Sequence, residues 1–281
     1  MTGISTPATS TLIDPTRLQD LLGAARGRFD VDALAACEST STLLLTRAEQ
    51  GAPTGAVIVA DRQTAGRGSR GRRWVASPEA SLTFSLLWRF AGGVERLSGL
   101  SLAVGVAVVR ALASLGATGV TLKWPNDILY RDAKLGGILV ELQEMRQEMR
   151  QGTRKNSLAV IGIGLNLQIP DAVLAGEALA LPPAALAELL APLPERDVLL
   201  ARLLGELASV LDRFSAGGFV ALREQWLGHH AWQDRPVQVL RDGRVSYEGI
   251  CRGADADGAL LVETATGSQR CLSGDVSLRA R

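Results

Sequence analysis

The sequence predicts an α/β chain, of the α+β kind, that ends in a separate small all-β barrel. Three observations lead there. Strand-like and apolar helical segments alternate from about residue 31 to residue 233. Near Asp234 the texture changes to short strands separated by Asp242-Gly243, Asp257-Gly258 and Thr266-Gly267 turns. Hydrophobic residues make up 47 % of the 281 positions, enough for a substantial core. The chain therefore divides into an N-terminal tail (1–30), a main domain (31–233) and a C-terminal barrel (234–281). So small a barrel is expected to dock on the main domain.

The opening stretch is rich in Ser, Thr and Pro and predicts a mobile tail, with one helical turn at Leu18–Leu22. Val31–Cys37 predicts a strand. Ser39 to Thr42 offers hydroxyls that can cap a helix running to about Gln50. Ala56–Asp61 predicts a buried strand. Ser81–Phe90 predicts another, with Leu82, Phe84, Leu86, Trp88 and Phe90 on one face and Ser81, Thr83, Ser85 and Arg89 on the other. A helix is expected over Leu97–Leu115, ended by Gly116, then a strand from Val120 that Pro125 stops. Ile128–Tyr130 and Leu135–Leu142 flank a turn at Arg131 to Ala133 and predict a hairpin. The repeat QEMRQEMRQ (143–151) predicts a solvated extension of it. Leu158–Leu167 predicts a strand, and helices are expected over Pro183–Leu190, Arg196–Phe214 and Phe219–Leu227.

Charge is balanced overall, with 30 Lys+Arg against 29 Asp+Glu, which argues against a general nucleic-acid coat and for local charge at a site. Cys37, Cys251 and Cys271 have no paired spacing, so neither a disulfide framework nor a zinc site is indicated. The adjacent His229 and His230 would point in different directions on a helix. No apolar run is expected to reach membrane-spanning length and the N-terminus lacks a basic-then-apolar leader pattern, so a cytoplasmic location is expected.

The strongest local signal is TAGRGSRGRRW (64–74). Gly66, Gly68 and Gly71 permit close backbone approach, and Arg67, Arg70, Arg72 and Arg73 supply fixed cations, so the loop is built to close over a small anion. A solvated basic loop and an Arg-Gly RNA-binding segment are the alternatives. The loop is too short and too closely framed by strands for the latter. Lys123-Trp124-Pro125-Asn126-Asp127 presents a cation and a carboxylate at a strand end. Lys123 can meet phosphate, and Asp127 can hold magnesium or orient an incoming amine. Lys134 precedes Gly136-Gly137, a pair that weakens a strand unless something must come close. Gly162-Ile163-Gly164 lacks the following helix of a dinucleotide fingerprint and predicts a bulged strand beside a ligand. Only Lys123, Lys134 and Lys155 are lysine, and two of them lie in these motifs.

The arginine loop, KWPND, KLGGILVE (134–141) and IGIGLN (161–166), in this order, resemble the catalytic core of biotin protein ligases, from about Cys37 to the C-terminus. The resemblance implies a mixed sheet with packed helices, as in class II synthetases, followed by an SH3-like barrel. It implies ATP, biotin and Mg2+ as ligands, biotinyl-5′-AMP as intermediate, and a biotin carboxyl carrier protein as acceptor, in a monomer or homodimer. Lys134, Arg67, Asp127 and Lys123 form the expected catalytic set, with Asp127 a magnesium ligand. Ser39, Thr40 and Gln63 match contacts to biotin, with Ser41 at the next position, and Gly66, Arg67 and Gly68 match the segment around its tail, with Ser69 following in the same loop. Arg70 and Arg72 match the phosphate side, Trp74 and Asn166 the adenine contacts, and Asn126, Lys134, Gly137 and Gly164 the lining.

Two positions depart from the family pattern. Ser41 stands where Asn is common, and Ser69 where many members carry arginine, so one cation fewer is expected to hold the adenylate. About thirty residues precede the core, fewer than a helix-turn-helix domain needs, so no repressor activity, operator binding or membrane contact is expected. A lipoate or octanoyl ligase of the same fold is the nearest rival. A non-catalytic ligand or nucleic-acid binder is the more distant one.

Overall fold

The computed structural model describes residues 10, 12–149, 152–169, 181–241, 243–272 and 276–280. Most of the Ser/Thr/Pro-rich start, Pro170, the end of the QEMR repeat (150 and 151) and Asp242 of the expected Asp242-Gly243 turn lie outside the described residues.

Helix α1 (Pro15–Leu22) starts at Asp14, whose carboxylate accepts the amides of Thr16 and Arg17 at 2.8 and 3.3 Å, with proline at the first helical position. Leu18 and Leu22 are buried, a gain of about 1.5–3 kcal/mol for a fully buried leucine. A 3-10 turn (Gly23–Arg28) follows, and Arg28 forms a two-pronged pair with Asp212 at 2.7 and 2.8 Å. The described part of the expected tail is therefore packed structure. Its polar composition masks an Asp-Pro cap followed by leucines four residues apart.

Seven strands form the main sheet: β1 (Asp30–Cys37), β2 (Ala56–Gln63), β3 (Ser81–Ala91), β4 (Val120–Lys123), β5 (Asp127–Tyr130), β6 (Ala133–Met149) and β7 (Gly152–Asn166). Their order is β1-β2-β3-β7-β6-β5-β4; β1 and β2 are parallel and the other neighbours antiparallel. Helix α2 (Thr40–Glu49) covers one face through Leu44 and Ala48 against Ile58, Leu87 and Val160. Helices α3 (Leu100–Ser114) and α4 (Arg196–Gly217) cover the other, over Phe84, Leu86 and Ile161. β3 is thus covered on both sides: its apolar alternation meets α3 and α4, and its Thr83 and Ser85 are buried rather than solvated.

Several elements differ from expectation. The helical stretch Val94–Ser114 is long and apolar enough to cross a membrane by length and composition, yet 67 % of its most apolar window is buried, as the core helix between sheet and α4 requires. β7 pairs in continuous register with both neighbours, so the expected bulge is absent there; a register shift occurs instead between Ile128 and Leu129 of β5. Pro183–Leu190 holds only a 3-10 turn (Leu186–Glu188), because its first residues are drawn into an extended bridge with Lys134. That segment runs beside Lys134, whose amide donates to Pro182 O at 2.7 Å and whose carbonyl accepts Ala184 N at 2.9 Å. Phe219–Leu227 splits into a 3-10 turn (Phe219–Ala221) and α5 (Arg223–His229).

The C-terminal sheet comprises β8 (Pro236–Arg241), β9 (Arg244–Ala254), β10 (Leu260–Thr264), β11 (Gly267–Cys271) and β12 (Val276–Ala280), in the antiparallel order β11-β10-β9-β8-β12. Register shifts in β8 and β10 mark bulges, which bend the sheet. Its inner residues Val237, Val239, Leu260 and Val262 join the same core as α3 and α4, so it docks as expected.

Candidate active site

The site lies on the α2 face, where the strands carry little or nothing above the backbone. Gly137 pairs with Gly164, and Leu139 with Gly162. A Cβ on Gly162 would stand 2.6 Å from Ser41 Oγ, and one on Gly164 would overlap the Trp74 indole. Close approach of side chains, rather than a bulge, is why glycine occupies these positions.

A buried polar network forms one wall. Ser39 caps α2 by accepting Thr42 N at 3.4 Å. Thr40 N donates to Gln63 Oε1 at 2.8 Å; Ser85 Oγ joins Thr40 Oγ1 at 2.8 Å and Ser41 Oγ at 3.0 Å. Thr83 Oγ1 and Trp74 Nε1 are buried without a hydrogen-bond partner beside this wall. Orphaned polar atoms facing a cavity of about 410 Å³ are what a polar ligand would satisfy.

The arginine loop is a miniature hairpin. Trp74 N donates to Gly66 O at 2.9 Å, Arg67 bridges Arg73, and Gly68 N donates to Arg72 O at 2.8 Å. Arg70 and Gly71 turn the chain at positive φ, 62° and 67°. Arg67 Nη2 lies 2.7 Å from Glu141 Oε1, and its Nη1 reaches Glu141 Oε2 and Thr42 Oγ1 at 3.3 and 3.4 Å. Arg72 donates to Ser69 O and Oγ at 3.3 and 3.2 Å. The expected anion clamp is thus tethered to β6 by its own arginine, a tie the sequence reading missed at Glu141.

Across the cavity, Asp127 sits between two ammonium groups. Its Oδ2 is 2.8 Å from Lys123 Nζ and its Oδ1 2.6 Å from Lys134 Nζ. Burial alone would raise this carboxyl; Lys134 and Lys123 overcome that and hold it at about 2. Burial pushes Lys123 below the usual lysine range even though Asp127 opposes it. Lys123 is 6 % exposed, its Nζ 5.3 Å from the centroid of the Trp232 ring, whereas Lys134 is 28 % exposed and lies 6.0 Å from that of Trp74.

This geometry reassigns several roles. Asp127 stays ionised near neutrality between its two ammonium partners, an arrangement that offers fixed charge rather than a proton acceptor. Its two oxygens are taken by the lysines, and among the described residues no group of three or more His, Cys, Asp or Glu could hold a metal. A magnesium ion at Asp127 would have to share oxygens that the two ammonium groups already engage, so an ion accompanying the nucleotide would be held chiefly by phosphate. Lys123 acts on Asp127 before it can meet phosphate. Asn126 Nδ2 donates to Ile138 O at 2.8 Å, and Asn166 Nδ2 to Lys134 O and Ala184 O at 3.1 Å each, so both amides hold backbone around Lys134. Ser39 and Gly66 stand behind the cavity wall; the other expected positions line it. Leu278 and Arg279 of β12 also line it, and the sequence reading missed them because their strand is remote in the chain. Ser85 was legible only as a polar position in an apolar strand.

Residues 34–166 match the biotin/lipoate A/B protein ligase family, and residues 234–279 match the biotin protein ligase C terminal domain. The chain is 33 % identical over 281 residues to the bifunctional ligase/repressor BirA of Salmonella typhimurium, covering 99 % of this chain and 82 % of that protein. It is 33 % identical over 273 residues to the biotin–[acetyl-CoA-carboxylase] ligase of Mycobacterium tuberculosis, covering 94 % and 95 %. Among solved structures, the biotin protein ligase from Aquifex aeolicus in complex with biotin and ATP superposes with a TM-score of 0.70 at 27 % identity, over 90 % of this chain and 99 % of that one.

Proposed function

This chain belongs to the biotin/lipoate A/B protein ligase family and is an enzyme of the biotin protein ligase type; we propose that it activates biotin as biotinyl-5′-AMP and transfers the biotinyl group to a lysine of a biotin carboxyl carrier protein in the cytoplasm. In the first step a biotin carboxylate oxygen bonds to the α-phosphorus of ATP and pyrophosphate leaves. In the second, the unprotonated lysine amine bonds to the acyl carbon, AMP leaves, and the amine's proton passes to solvent.

The observation that carries this reading is the Lys123–Asp127–Lys134 cluster, in which the more exposed ammonium faces the cavity. Joining a carboxylate to a polyphosphate sets anion against anion, and a fixed cation in a site closed to water is the remedy. Lys134 supplies that cation, held in place by Asp127. The Thr40–Gln63–Ser85 network suits the polar groups of biotin, and Arg70, Arg72 and Trp74 suit phosphate and adenine. The arginine loop shields the mixed anhydride from hydrolysis. Residues 31–233 are assigned the chemistry, and 234–281 a cover on its open side.

The test is incubation with biotin, magnesium-ATP and a carrier domain, following pyrophosphate–ATP exchange and the mass of the carrier. Biotin-dependent exchange and one added biotinyl group are expected. Exchange driven by lipoate or octanoate instead of biotin would overturn the reading.

A further inference from the structure

Trp124 stands inside the KWPND segment, yet its indole points away from the reacting groups. It is fully buried, and its Nε1 donates to Gly258 O at 3.0 Å in a buried bond. Gly258 ends the β9–β10 turn of the C-terminal sheet. A Cβ there would lie 2.7 Å from Gly99 Cα at the start of α3, and its φ of +79° disfavours any side chain. Ser98 Oγ donates to Asp257 O at 2.6 Å, seating the same turn on the same helix end. The turn is stiff in itself: Asp255 Oδ1 accepts the amides of Asp257 and Ala259 at 2.9 and 3.0 Å. One residue beyond the indole, Pro125 O accepts Ser101 Oγ of α3 at 3.1 Å.

The indole therefore joins two parts of one cavity. In the turn between β4 and β5 it follows Lys123 directly and stands three residues before Asp127, which holds Lys134. On the other side it holds the sheet whose β12 brings Leu278 and Arg279 to the cavity. We infer that Trp124 is a positioning residue, which through its bond to Gly258 sets the C-terminal sheet and the Lys123–Asp127–Lys134 cluster in register for the nucleotide. The inference rests on the proposed adenylation of biotin. Its effect falls on ATP rather than on biotin, because the Thr40–Gln63–Ser85 wall is built from α2, β2 and β3 and does not touch the latch.

The experiment uses the full chain as parent, Trp124→Phe, which keeps a ring and loses the donor, and Gly258→Ala, which displaces the turn from the other side. Biotin affinity is measured by calorimetry without nucleotide, and ATP KM and kcat by biotin-dependent pyrophosphate exchange. Each variant is expected to lose tenfold or more in kcat/KM for ATP while its biotin Kd stays within twofold of the parent. The double variant is expected to be little worse than the weaker single one, since both break one contact. ATP kinetics within twofold of the parent in both variants overturn the inference, as does a loss of biotin affinity in proportion to that of ATP. Should Trp124→Phe fail to fold, Gly258→Ala decides alone. A parent that shows no biotin-dependent exchange condemns the adenylation reading itself, a result separate from any difference between parent and variants.

Discussion

Lys134 Nζ and Asp127 Oδ1 stand 2.6 Å apart, while the second oxygen of the same carboxylate is held 2.8 Å from Lys123 Nζ. Two ammonium groups share one anion, so the cluster carries a net positive charge next to the cavity. Both lysines line the cavity, and Lys134 is the more open of the two, 28 % exposed against 6 % for Lys123. The buried lysine fixes the carboxylate, and the carboxylate aims the exposed lysine.

Lys134→Ala is expected to fold normally, because Asp127 keeps Lys123 as its partner. Biotin-dependent pyrophosphate exchange should fall by ~10²–10³-fold, the range for losing one fixed stabiliser of developing charge. Near-parental exchange in a folded variant would show that another cation does this work.

Asp127→Asn leaves Lys123 buried without a counter-charge. Breaking a buried pair in this way costs about 3–5 kcal/mol, to be read from urea denaturation. Lys123→Met in the same background should recover much of the loss; no recovery would mean that the destabilisation arises elsewhere. Asp127 is held at about 2, below its unfolded value, so its contribution is present above the unfolded value and is lost only as pH falls towards 2. An acidic limb in the activity profile between pH 5 and 7 therefore cannot belong to Asp127.

Much of this arrangement was legible in the chain. The strand containing Leu82 and Phe84, the helix after Gly99 and the short C-terminal strands follow from periodicity and turn residues, and the glycine and lysine motifs do meet at one cavity. What escaped were relations between distant segments. Glu141 was an ordinary strand residue until Arg67 was found against it. Pro183 read as a helix start because its pairing with Lys134 is invisible locally. Arg279 reaches the cavity only through the docking of β12. Trp124, in the most recognisable motif of all, serves the inter-sheet contact.

Trp74 rests on Gly137 and Gly164, near the Lys134 ammonium. Trp74→Ala should weaken ATP binding by ~1–3 kcal/mol, the value of stacking a base on an aromatic ring. Calorimetric ATP affinity equal to the parent's would remove the indole from the nucleotide site.

Ser69 lines the cavity at the loop's tip and occupies Arg72 through both its hydroxyl and its carbonyl. Ser69→Arg adds a cation there, so free biotinyl-AMP should leave the enzyme more slowly. Adenylate appearing in solution at equal rates from both proteins ends that account.

His230 gives the fold its own dependence on pH. Its ring stacks on Trp226 with centroids 4.4 Å apart and an angle of 26°, and it is buried against β4. Burial pushes its pKa down to about 4, and neither ring nitrogen has a hydrogen-bond partner among the described residues. The folded value lies below the unfolded one, near 6.5, so between these limits the unfolded chain binds more protons. Stability from this group is therefore complete above about pH 6.5 and declines as pH falls to 4, by roughly 3 kcal/mol in all. His230→Phe keeps a ring against Trp226 and cannot take up a proton. Urea denaturation at pH 7 and pH 4.5 should show the parent losing about 2–3 kcal/mol more than the variant on acidification. Equal losses in the two proteins would mean that the imidazole is charged, or solvated, in the folded chain.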